Sequence, residues 1–159
     1  MSRSTRTLPK VIRIAKLEPC SALVRRNFCT QPRKMSDMTP ILSKYAMPPV
    51  GPYSQAIKTP HAIYCSGQLP ADAQGNIVDG TVAERTAAVL KALSAVLTES
   101  GSSLARIVKA QIFLTDMNDF AEMNAEYEKW IKHKPARSCV AVKQLPKGVN
   151  IEIECVALP

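Results

Sequence analysis

Arg137 and Glu152 are the residues whose type and setting most suggest chemistry. Arg137 lies in Pro135-Ala136-Arg137-Ser138-Cys139-Val140-Ala141-Val142, a run that alternates as a β-strand does. A second alternating run, Asn150-Ile151-Glu152-Ile153-Glu154-Cys155, follows across a Pro/Gly turn. If the two runs pair, Val140 and Val142 share one sheet face with Ile151 and Ile153. Arg137 and Cys139 then share the other face with Glu152 and Glu154. A guanidinium offers two parallel donors to a carboxylate and stays charged at every working pH. A carboxylate beside it can orient a water or take its proton. The residues alone leave two accounts open, a structural ion pair and a ligand site, and the two are compatible.

Other side chains could join such a site. Tyr53 combines a packing ring with a hydroxyl, although ordinary core packing also explains it. Ser66 and Gly67 end a strand in a corner of small residues, where backbone can approach a ligand closely or simply turn. Asn124 sits beside the apolar positions Phe120, Met123 and Tyr127, which suggests a hydrogen-bonding task. Cys139 has no His in its sequence context, so a packing role is favoured over a nucleophilic one.

The elements that must position these residues follow from periodicity. Pro48-Pro49-Val50-Gly51-Pro52 is an extended or turning lead-in. Tyr53–Lys58 and Ala62–Gln68 read as short strands joined as a hairpin near Thr59-Pro60-His61, and Asp72–Gly75 as a turn. Thr81 with Glu84 fits a capping box. Val82, Thr86, Val89, Leu90, Leu93, Val96 and Leu97 recur at helical spacing, and Gly101 fits the stop. Ile107–Leu114 reads as a strand. A second helix starts near Asn118-Asp119, with Glu122 available to its first turn and a stripe of Phe120, Met123, Tyr127, Trp130 and Ile131. The order strand–strand–helix–strand–helix–strand–strand predicts an α+β layer, with both helices on one face of the sheet. The other face, half-apolar and expected to carry Arg137, Cys139 and Glu152, predicts self-association into a closed homo-oligomer.

Composition bounds the function. The chain has 159 residues and a formal charge of +8. Residues 1–35 hold nine Lys/Arg against one acid, Glu18, which accounts for the whole excess; the remaining twelve basic and twelve acidic residues cancel. The body is therefore not a basic nucleic-acid surface. No apolar stretch reaches membrane-spanning length. Residues 1–35 are rich in Arg and Ser/Thr, and Val11-Ile12-Arg13-Ile14-Ala15-Lys16-Leu17 could form an amphipathic helix. This is the pattern of a mitochondrial presequence, largely disordered, with the folded domain expected over 36–159. Met35 offers an internal start for a cytosolic form. Beyond residue 35 the cysteines are Cys65, Cys139 and Cys155, an odd number without a CxxC pair. That argues against a disulfide framework or a structural zinc site.

Several segments carry a family resemblance. They are Gly51-Pro52-Tyr53-Ser54-Gln55, Tyr64-Cys65-Ser66-Gly67-Gln68-Leu69-Pro70, Val108-Lys109-Ala110, Asn118-Asp119-Phe120 with Asn124, Pro135-Ala136-Arg137-Ser138-Cys139-Val140, and Leu145-Pro146-Lys147-Gly148-Val149 with Ile151-Glu152-Ile153-Glu154. In this order, from about Thr39 to Leu158, they resemble the RidA (YjgF) family of reactive-imine deaminases. The signal-like segment together with this body resembles mitochondrial members found in fungi. The resemblance implies a chorismate-mutase-like mixed sheet and a homotrimer with clefts between subunits. It implies hydrolysis of 2-iminobutanoate and 2-iminopropanoate to 2-oxo acids and ammonia, without a metal or organic cofactor, in matrix amino-acid metabolism such as isoleucine synthesis. It makes Arg137 and Glu152 catalytic, and Tyr53, Ser66, Gly67, Asn124, Arg137 and Cys139 substrate-binding. One departure is visible: the connection from Tyr127 to Pro135 is short for the family. Two other functions compete, a non-catalytic 2-oxo acid sensor and an RNA-directed activity. Glu152 beside Arg137 argues against the first, and the neutral, aromatic-poor body against the second.

Overall fold

In the computed structural model the described residues are 37–159. The segment expected to be a presequence and the expected internal start at Met35 lie outside them. Six strands and two main helices alternate along the chain: β1 (Thr39–Ile41), β2 (Ala56–Lys58), β3 (Ile63–Gln68), α1 (Val82–Glu99), β4 (Ile107–Leu114), α2 (Phe120–Trp130), β5 (Ala136–Ala141) and β6 (Ile151–Ala157). The predicted order holds, with β1 added ahead of it. Tyr53 falls in the irregular stretch ahead of β2 rather than within the strand.

Local chemistry sets the boundaries. Thr81 and Glu84 form the expected capping box: the Glu84 amide donates to Thr81 Oγ1 at 3.2 Å, and the Thr81 amide donates to Glu84 Oε2 at 2.8 Å. Gly101 ends α1 at φ +78, a conformation that costs a side chain with Cβ dearly. Asp72 Oδ1 accepts the Gln74 and Asn76 amides, both at 2.9 Å, and fixes the turn that Gly75 completes at φ +89. Glu122 has a different task from the one expected. Its Oε1 accepts the Ala83 amide at 3.0 Å, so α2 supplies an N-terminal acceptor to α1 rather than to its own first turn.

The six strands form one mixed sheet in the order β1-β2-β3-β6-β4-β5. Only the β4–β5 pair is parallel, as the helical crossover through α2 requires. Both helices cover one face. Val89, Leu90, Leu93, Val96 and Leu97 of α1 and Met123 and Tyr127 of α2 pack on Ile63, Ala110, Ile112, Leu114, Ile151 and Ile153. Cys65 and Cys155 are register partners, both buried in this core. A hydrogen bond between the thiols and then burial push Cys155 far above the ordinary thiol range, which suits a small core residue.

The expected pairing of the two C-terminal strands does not occur. β4 lies between them, with Ala110 opposite Arg137 on one side and opposite Cys155 on the other. Arg137, Ala110 and Cys155 therefore point to one face, the helix-covered one. Phe113 is opposite both Val140 and Glu152, and these point to the other face. Arg137 and Cys139 thus leave the open face expected for them, while Glu152 stays on it. The physical reason is the parallel crossover: α2 returns the chain beside β4, and β6 fills the remaining edge of β4.

Candidate active site

The site residues fall into two groups, one on each face. The first surrounds Glu152. Tyr53, Ser66, Gly67 and Glu152, with Val50, Leu69 and Pro146, line a recess of about 250 Å³. The pairing of β3 with β6 slips between Cys65 and Gln68, so Ser66 and Gly67 form an irregularity in the strand. Ser66 Oγ donates to the Ser54 carbonyl at 2.7 Å, and the Ser66 amide donates to the Gln55 carbonyl at 3.0 Å. These bonds tie the irregular stretch to the segment that carries Tyr53. The buried amide of Gln55 steadies the lead-in: its Oε1 accepts the Ser43 amide at 2.6 Å, and its Nε2 donates to the Met47 carbonyl at 2.8 Å. The Tyr53 hydroxyl accepts the Val50 amide at 3.3 Å.

Gly67 is required by a neighbour. A Cβ there would lie 2.6 Å from the Glu152 Cδ and closer still to its Oε1. The Glu152 side chain therefore lies across the bare backbone of Gly67. Among the described residues Glu152 has no ion pair. Burial, and then the nearby Glu154, hold its carboxyl above the usual carboxylate range. Glu154 itself is engaged, accepting a bond from Gln111 Nε2. A desolvated, unpaired carboxylate with a raised pKa is a suitable proton acceptor.

The second group surrounds Arg137. Asn124, Tyr127, Pro135 and Arg137 line a cleft of about 530 Å³ between α2 and the β5 edge. The guanidinium lies 4.9 Å from the Tyr127 ring centre and 5.9 Å from that of Phe120. Among the described residues no carboxylate pairs with it. The structural ion pair to Glu152 is thus absent within one chain. Two aromatic faces hold the cation, and its N–H rim remains unspent. Cys139 is half-buried on the same face as Arg137, with its thiol raised chiefly by burial against an opposing effect of Arg137. It is protonated at neutral pH and a poor nucleophile.

Sequence reasoning missed the aromatic seat of Arg137. The signal was present: Phe120, Asn124 and Tyr127 stand at i, i+4 and i+7, on one helix face. Phe120 and Tyr127 read as part of a core stripe with Asn124 beside it, and only the crossover reveals that this stripe ends beneath the guanidinium. Placing Asn124 on this face explains the polar interruption of the stripe.

A mixed sheet with two helices on one face, an unpaired guanidinium and a half-buried carboxylate describes a candidate small-molecule site in an α+β scaffold. Comparisons define the family. The model described as Endoribonuclease L-PSP matches residues 43–158. The protein mmf1, mitochondrial, of Schizosaccharomyces pombe is 54% identical over 129 residues, covering 79% of this chain and 78% of that protein. The crystal structure of yeast Mmf1 superposes with a TM-score of 0.75 at 43% identity, over 76% of this chain and 98% of that one. The crystal structure of E. coli TdcF with bound serine has a TM-score of 0.73 at 33% identity, over 76% and 98% of the two chains. The chain belongs to the Endoribonuclease L-PSP family, also called RidA or YjgF.

Proposed function

We propose that this protein hydrolyses reactive 2-imino acids, 2-iminobutanoate and 2-iminopropanoate, to 2-oxo acids and ammonia at sites shared between neighbouring copies in a homotrimer. The observation that carries the reading is the guanidinium of Arg137 on its aromatic seat, unpaired among the described residues, whose donors suit a substrate carboxylate. The need for a second copy rests on the faces: Arg137 and the Glu152 carboxylate that would serve it point away from each other within one chain. The open face exposes Tyr64 and Val140, apolar surface suited to association. A relative crystallised with serine, a small acid that like the imines has nitrogen on C2, supports the ligand class.

In this mechanism Arg137 grips the substrate carboxylate and Asn124 bonds nearby polar atoms. Glu152 of a neighbouring copy accepts a proton from water as the oxygen adds to C2 of the protonated C=N bond. The resulting tetrahedral carbon bears hydroxyl and amine. Glu152 returns its proton to the nitrogen, the C–N bond breaks as the hydroxyl oxygen forms C=O, and the hydroxyl proton passes to the departing ammonia, giving the 2-oxo acid and ammonium. Tyr53, Ser66 and Gly67 shape the pocket beside Glu152, and Cys139 fills space beside Arg137. Coupling a threonine dehydratase to the purified protein tests the reading. Release of 2-oxobutanoate faster than spontaneous hydrolysis supports it, and equal rates overturn it.

The family's descriptor raises an RNA-directed activity as a second reading. The balanced charge of residues 36–159 speaks against a broad RNA surface. A mitochondrial location, in the matrix, is the reading that the presequence pattern and the mitochondrial relatives support.

A further inference from the structure

Within one chain the cleft beside Arg137 is larger than a small substrate needs. At about 530 Å³ it falls within the roughly 300–1,000 Å³ typical of small-molecule sites. A methyl or ethyl side chain leaves most of it unfilled. Its lining includes the carbon surfaces of Tyr127, Ile131 and Pro135, and it also carries Lys132, Lys134 and Glu128 beside Arg137. Three cations therefore face one carboxylate. Among the described residues none of these three side chains has an ion pair; the acid one turn earlier, Glu126, is already engaged with Lys129 and Trp130. Lys134 adopts φ +54, a backbone conformation that fixes where its side chain departs. Three residues from Arg137, its Cα lies within about 10 Å of that of Arg137. Tyr127 is only 5% exposed, and its hydroxyl has no partner among the described residues.

Resting on the deaminase reading, we infer that this cleft accepts the side chain of a 2-imino acid ending in a second carboxylate, with Lys132 and Lys134 as the partners of that carboxylate. One end of a dicarboxylic substrate lies on Arg137, the carbon chain crosses the apolar lining, and the far end meets the lysines. Two cationic anchors in one cleft whose lining also includes apolar residues select for charge at both termini of a ligand.

The test uses the full chain and two stable products as probes, 2-oxobutanoate and 2-oxopentanedioate, in titration calorimetry at low ionic strength. The expected result is at least tenfold tighter binding of the dicarboxylate. That preference falls at least fivefold in a Lys132→Gln/Lys134→Asn variant, in which Asn tolerates the left-handed backbone. It also falls in the native chain as salt rises from about 0.01 to 0.15 M and the screening length drops from about 30 to 8 Å. Equal affinities for the two probes in the native chain, or a preference unmoved by both salt and substitution, overturn the subsite. In either case the deaminase reading stands if the dehydratase-coupled assay shows turnover. Binding of neither probe, together with no turnover, overturns that reading and the subsite with it.

Discussion

The guanidinium of Arg137 has no competing carboxylate and two rings beneath it, so its substitution has a specific signature. Arg137→Ala abolishes turnover while the oligomer stays folded, as read by product release and size-exclusion chromatography. The lost charge-assisted contact weakens product binding by about 1.5–3 kcal/mol. Arg137→Lys recovers little, because a point charge lacks the paired donors. Loss of the oligomer in Arg137→Ala would assign the residue to assembly instead. Glu152 has the opposite character, a carboxyl that resists ionising. Its folded pKa is raised by burial and by Glu154, so the chain gains stability from the protonated form at low pH and loses it as pH rises through that raised value. Glu152→Gln cannot ionise. It therefore melts above the parent at neutral pH and with it in strong acid, while turnover falls more than binding. A variant that melts below the parent at neutral pH would show Glu152 stabilised by a cation from another copy.

At the level of elements, the irregularity in β3 and the stripe of α2 carry the site. Gly67→Ala drives a methyl into the Glu152 side chain. The expected outcome is an intact fold by far-UV circular dichroism with most turnover lost, since the carboxylate must swing away; full activity would remove Glu152 from its present position in the mechanism. Tyr127→Leu keeps apolar volume but removes a ring from beneath Arg137, and weakens product affinity by the roughly 0.5–2 kcal/mol of a cation–π contact. Tyr127→Phe, which deletes only an unpartnered hydroxyl, keeps that affinity in the same titration. The elements were largely legible in the sequence because their signals are local: the Thr81/Glu84 box, the 3.6-residue recurrence of α1, the alternation of β6. The pairing of β5 was not. Alternation tells which residues of a strand share a face, and it is silent on which strand lies alongside. Alternation alone groups Val140 with Ile151 and Ile153, yet it is 48% exposed on the opposite face, because the α2 crossover sets β5 against β4.

For the whole molecule, that error in pairing changes the account of function. A sheet with Arg137 and Glu152 on one face could work as a single chain. The observed sheet places Arg137 at its β5 edge on the helix side and Glu152 on its open side. The list of site residues could be drawn from the sequence, because the family segments are contiguous. Their division into two groups could not, because it depends on strand order. In the proposed homotrimer the division becomes an advantage: each boundary would join one copy's edge to the next copy's open face.

Complementation between two inactive chains tests this most directly. Arg137→Ala and Glu152→Gln chains are each inactive, and unfolding and refolding them together mixes them within oligomers. If each site takes its guanidinium from one copy and its carboxylate from another, random mixing restores an intact pair at one boundary in four, and roughly a quarter of native 2-oxobutanoate release returns. Mixed oligomers that form in full yet stay as inactive as either parent would contradict a shared site.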